Sequence, residues 1–172
     1  RGGAGVTLVG VPGGVGGTWS RWGGRLIQVA SLSDPFLSRA LEPWSFGLYA
    51  GGQSILVGTP SGVTLSAEGG AHQSTVTPGL GIELPQLLAY EPCFAREVEW
   101  TLLEALRLCC DREAGVSSYL RLSTRPIEQA LLEPALARLG EETLRSDALA
   151  GGYRLVDWRD RSGDVDGRTL VN

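Results

Sequence analysis

One histidine, His72, stands in a run rich in glycine, serine and threonine. Imidazole is the side chain whose ordinary titration lies closest to neutrality, so His72 is the first residue to consider for moving a proton. Taken alone it is equally a loop side chain that bonds the backbone. Three cysteines, Cys93, Cys109 and Cys110, offer thiol chemistry. An odd number without a repeated spacing makes no disulfide framework. Adjacent Cys109 and Cys110 with one distant histidine do not match zinc-ligand spacing, so these two are read as small buried apolar groups. Ten glycines crowd residues 1–24, with Pro12 among them. Neither a Walker spacing with Gly-Lys-Ser nor a dinucleotide fingerprint occurs there, so a poorly formed segment is expected rather than a phosphate cradle.

Composition narrows the classes of function. The chain has 172 residues, 42% apolar, which suits one domain with a core or one domain and the start of another. Net charge is −4 and all 15 basic residues are arginine, scattered rather than striped, which argues against nucleic acid as a partner. No apolar run approaches the ~18 residues of a membrane span, and no basic start followed by a short apolar stretch marks a secretory signal. With reduced thiols, this points to the cytoplasm. The first residue is Arg1, which reads as a trimmed start or an internal piece of a longer protein.

Any chemistry must be positioned by regular elements. Apolar runs at 26–30, 54–58, 86–90 and 118–123 read as strands, punctuated by Asp34-Pro35, Thr59-Pro60-Ser61-Gly62 and Glu91-Pro92. Residues 36–50 look helical. Over 94–112, Phe94, Val98, Leu102, Ala105 or Leu106, and Cys109 recur at helical steps and place one apolar stripe against a sheet. A second helix is expected over 131–147, a joint at Gly151-Gly152, and strands at 153–156 and 169–171. Strands alternating with helices predict an α/β fold, a mainly parallel sheet covered on both faces. Ligands of such sheets bind outside the carboxyl ends of the strands. Asp34-Pro35-Phe36, the loop 59–77 and Thr124-Arg125-Pro126 follow those ends.

The segments Gly58-Thr59-Pro60-Ser61-Gly62-Val63-Thr64-Leu65, Glu68-Gly69-Gly70-Ala71-His72-Gln73-Ser74 and Tyr119-Leu120-Arg121-Leu122-Ser123-Thr124-Arg125-Pro126 resemble the pyrimidine-binding domain of transketolase-like thiamine diphosphate enzymes. Within that family they look most like the homodimeric pyruvate dehydrogenases (acetyl-transferring). The resemblance runs from about residue 18 to 148. It divides the chain into a glycine-rich start at 1–24, a pyrimidine-binding domain at 25–150 and the opening of a carboxyl-terminal domain at 151–172.

The resemblance implies thiamine diphosphate as cofactor, with magnesium and the diphosphate held by a domain outside these 172 residues, on a second subunit. It places His72 beside the thiazolium ring, facing the substrate. Glu68 either touches substrate hydroxyls, orients His72, or is a solvated loop carboxylate. Arg125 matches an arginine that contacts the substrate's anionic group, a role its guanidinium fork suits as well as an ordinary surface role. Phe36 either stacks on the pyrimidine ring or is plain core. One departure stands out: the family's ring-tautomerising glutamate falls near residue 5, where the chain has Ala4-Gly5-Val6, and no carboxylate precedes Asp34.

These residues lead to an expected pyrimidine-side part of an enzyme acting on a 2-oxo acid such as pyruvate or on a ketose phosphate. The alternatives are a non-catalytic homologue serving as a binding or dimerisation module, and one half of a split transketolase. Exposed apolar surface is expected near the 36–50 helix and the glycine-rich start.

Overall fold

The structure is a computed structural model that describes residues 23–24, 26–61, 74, 76–84, 87–111 and 113–157. Glu68, His72, residues 1–22 of the glycine-rich start and the strand expected at 169–171 lie outside the described residues. Four strands form one sheet: β1 (Gln28–Leu32), β2 (Ser54–Gly58), β3 (Leu87–Tyr90) and β4 (Ser117–Arg121). Their order is β1-β2-β4-β3 and every pairing is parallel. The register runs from Gln28 opposite Ser54 to Leu32 opposite Gly58, and from Ile55 opposite Ser118 to Gly58 opposite Arg121. This is the α/β architecture expected from the alternation of strands and helices.

The helices cover both faces. α1 (Leu37–Tyr49) buries Leu37, Ala40, Trp44 and Gly47, a stripe at three- and four-residue steps. With Leu80 of the short α2 (Leu80–Glu83), it packs on Leu56, Leu87 and Tyr119 of the sheet. α3 (Ala95–Cys110) lies on the other face, where Ala105 and Cys109 meet Ile55 and Leu120. Its entry is fixed by Glu97, whose carboxylate accepts from the Cys93 and Phe94 backbone N–H groups at 2.7 and 2.9 Å. The chain moves across the sheet from β1 through β2 to β3 and then returns to β4. Right-handed crossovers place the helix of the returning connection on the opposite face, as α3 is.

Several local expectations differ from the structure. β4 buries all five of its residues rather than one alternating face, because a central strand is covered on both faces. Cys109 is buried as expected whereas its neighbour Cys110 is exposed, one helical step around α3. The single helix of 131–147 is two, α4 (Glu133–Leu139) and α5 (Glu141–Ala150). They are separated by Gly140 at φ 78°, a conformation that suits glycine and ends the first helix. Tyr153–Val156 forms no strand.

The chain divides into two compact units, Arg1–Ile127 and Glu128–Asn172. The division falls within the 25–150 span assigned from sequence to one domain. In the second unit Leu132, Ala135 and Leu144 are buried, and the Arg138 guanidinium donates to the Arg154 carbonyl. Among the described residues no helix is long and apolar enough to cross a membrane.

Gly58 closes β2 where packing is tightest. A Cβ there would stand 2.8 Å from Leu37 Cδ1 and 2.9 Å from the Tyr119 hydroxyl oxygen, both on buried side chains. Gly58→Ala is therefore expected to destabilise the first unit by about 2 kcal/mol through overpacking. Urea denaturation checks this, and an unchanged midpoint would refute the tight approach.

Candidate functional site

The four strands are parallel, so their carboxyl ends share one edge. Leu32 leads from β1 into the turn Asp34–Phe36, Gly58 from β2 into Thr59-Pro60-Ser61, Tyr90 from β3 into Glu91, and Arg121 closes β4. Backbone bonds hold the first two connections together: Thr59 N–H donates to Leu32 O at 2.9 Å and Asp34 N–H to Pro60 O at 3.1 Å.

A charged cluster is centred on this edge. Asp34 is fully buried, and Arg121 donates to it from Nε at 3.4 Å and from Nη2 at 3.2 Å. Nη1 of Arg121 pairs with the Glu91 carboxylate. The Tyr119 hydroxyl, two residues before Arg121 on the same face of β4, makes a long 3.5 Å bond to Asp34. Burial, then the negative charge of Asp34, pushes the Tyr119 hydroxyl well above its ordinary pKa, so it stays a neutral donor. Burial alone would lower the Arg121 pKa, but the hydrogen bond and charge of Asp34, then the charge of Glu91, more than offset it. Thr77 Oγ1 lies beside the Tyr119 hydroxyl, buried and without a partner of ordinary hydrogen-bond geometry. One arginine thus ties the ends of β1, β3 and β4.

Two of the sequence-predicted residues flank this cluster. Phe36 follows Asp34 and is 40% exposed, so it is not plain core; the Arg39 guanidinium lies 5.7 Å from its ring centroid. Arg125 stands four residues beyond the end of β4, exposed, with its N–H donating to Ser123 Oγ at 3.1 Å. β1 and β4 are both neighbours of β2, so their ends lie about 10 Å apart at the usual strand spacing. Phe36 and Arg125 therefore follow strand ends on the same edge, whereas Glu68 and His72 lie outside the described residues.

Sequence reading missed Asp34 and Arg121 as a pair. The signal lay in strand periodicity: Arg121 shares its face with Tyr119, and a cation on a buried face requires a partner. Other features carry less chemistry. Burial, then Glu97, raises the pKa of the exposed Cys93 thiol, which keeps it from being a ready thiolate. Leu48, Gly51, Gly52, Gln53, Gly115 and Ser117 line a cavity of about 70 Å³ at the opposite, amino edge of the sheet, room for a few waters. Among the described residues no group of three His, Cys, Asp or Glu side chains could hold a metal ion. No family model, curated protein or solved structure matches the chain.

Proposed function

We propose that the chain is the pyrimidine-side part of a thiamine diphosphate-dependent site acting on a 2-oxo acid or ketose, as in the cytoplasmic transketolase-like enzymes that its motifs resemble. The observation that supports this best is the carboxyl edge of the parallel sheet. There Phe36, an exposed aromatic, and Arg125, an exposed cation, follow the ends of the two strands that flank β2.

The fit to the cofactor is partial. The Phe36 ring suits stacking against an aminopyrimidine. The carboxylate next to it, Asp34, is fully buried and committed to Arg121, so it does not serve as a proton-transferring partner for the ring. The described residues likewise offer no metal cluster for a diphosphate. The role assigned is therefore binding: the ring face by Phe36, the substrate's anionic group by Arg125. His72 would hold or donate a proton at the substrate oxygen, with Glu68 orienting it. The diphosphate and magnesium would be held by a partner domain.

A titration of the full chain with thiamine diphosphate and magnesium, followed by calorimetry, tests this reading. Phe36→Ala is expected to weaken binding about tenfold, the usual scale of one aromatic stacking contact. Binding indifferent to Phe36→Ala, or no binding with a diphosphate-binding partner domain present, would defeat it. A second reading, a non-catalytic docking module, draws on Phe46 and Tyr49 of α1, which are 67% and 89% exposed. Concentration-dependent association without cofactor binding would favour that reading.

A further inference from the structure

We propose that the Arg121 guanidinium is a latent binding site for a small carboxylate anion, with the Glu91 carboxylate standing in the anion's place. Arg121 ends β4 at the carboxyl edge, where ligands of parallel sheets bind. Its two carboxylate partners are not equivalent. Asp34 is fully buried and grips Nε and Nη2 from below. Glu91 holds only Nη1, and its side chain is 59% exposed. Turning Glu91 into water therefore costs little, since an ion pair on an exposed carboxylate contributes little. Moving Asp34 would strand a buried charge.

The donor count points the same way. A guanidinium carries five N–H groups in a planar fork. Among the described residues three are used: Nε and one on Nη2 by Asp34, and one on Nη1 by Glu91. With Glu91 turned away, both N–H groups of Nη1 and the second of Nη2 have no partner among the described residues, and the pair at the end of the guanidinium can donate two parallel bonds to one carboxylate. Asp34 and Arg121 together are neutral, and Glu91 adds one negative charge. A monoanionic carboxylate replacing Glu91 leaves the charge of the cluster unchanged. A phosphate dianion would add a second negative charge next to Asp34. This is why the assignment is to a carboxylate.

The inference does not rest on the thiamine reading, and its test omits the cofactor. Pyruvate and inorganic phosphate are titrated separately into the full chain while the Arg121 Nε–H resonance is followed by NMR. Glu91→Gln removes the competing charge at an exposed position, and pyruvate binding is expected to tighten about fivefold. Arg121→Lys in the Glu91→Gln background keeps a cation for Asp34 but loses the fork, and pyruvate binding should weaken more than tenfold. A thermal melt of each variant establishes that it is folded. Unchanged pyruvate affinity in Glu91→Gln, phosphate bound more tightly than pyruvate, or undiminished binding in the folded double variant would each overturn the proposal.

Discussion

Arg121→Gln is expected to destabilise the first compact unit by about 3–5 kcal/mol, the usual cost of removing one partner from a buried ion pair. The loss arises from Asp34. With Arg121 replaced, a fully buried carboxylate loses the cation that offsets a charge water no longer solvates. Glu91 contributes little to the deficit, because its exposed carboxylate is rehydrated on release. Domains commonly have only ~5–15 kcal/mol of stability, so this loss is a large part of the whole. The companion variant separates charge from packing. Asp34→Asn combined with Arg121→Gln removes both charges, and most of the stability should return. Urea denaturation of the two single variants and the pair checks this. A loss below about 1 kcal/mol for Arg121→Gln would mean that the buried contact contributes little.

That pair also marks the limit of what the sequence reveals. Asp34 and Arg121 are 87 residues apart and meet only because β1 and β4 flank β2 in a parallel sheet. Hydrophobic periodicity reports on faces of single elements, not on which strands become neighbours. Where the signal is local, the agreement is close. The run Ser54–Gly58 is the strand expected there, bounded by Gly52 and by Thr59-Pro60. α1 and α3 fall within one or two residues of their expected limits, because their apolar stripes persist for several turns. The parallel topology was legible in the alternation of elements, and that topology brings Phe36 and Arg125 to one edge.

Elsewhere tertiary context decides. The strand expected at 26–30 is shifted to Gln28–Leu32, where the register opposite Ser54–Gly58 recruits Gln28, Ser31 and Leu32 despite their mixed polarity. The loop after β2 closes with the short helix Leu80–Glu83, which two glycines, Gly79 and Gly81, conceal from propensity. Gly81 is there because a Cβ would run into the Ala89 side chain of β3. The α3 stripe was drawn through Val98 and Leu102, but Glu97 and Thr101 are the more deeply buried residues at those turns. Both are satisfied locally, Glu97 by the helix entry and Thr101 by donating to Glu97 O at 2.8 Å. A polar residue whose hydrogen bonds close on its own helix can face the core, and composition gives no warning of it.

Trp44→Ala is expected to cost about 3–5 kcal/mol, on the scale of other large-to-small aromatic truncations. Trp44 is almost fully buried on α1 and meets Tyr119 edge to face, with centroids 6.4 Å apart. Its indole N–H donates to Ser54 Oγ at 2.9 Å, and the Ser54 backbone N–H donates in turn to Ser117 Oγ at 3.0 Å. One side chain therefore joins α1 to β2 and reaches the start of β4. α1 depends on such burial, because Pro43 within it removes one backbone hydrogen bond and strains the preceding turn. Trp44→Phe keeps most of the buried ring and loses the donor, leaving Ser54 Oγ without that N–H, so a smaller cost of about 1–2 kcal/mol is expected. The position also bears on the site. α1 begins immediately after the turn Asp34–Phe36, so loosening the helix releases the segment that carries both the buried carboxylate and the exposed ring. Trp44→Ala should then raise amide exchange at Asp34 and Phe36 along with α1, while the exchange of α3 on the other face changes less. Equal loss of protection on both faces would show that the sheet opens as one body and that Trp44 does not act locally on the carboxyl edge.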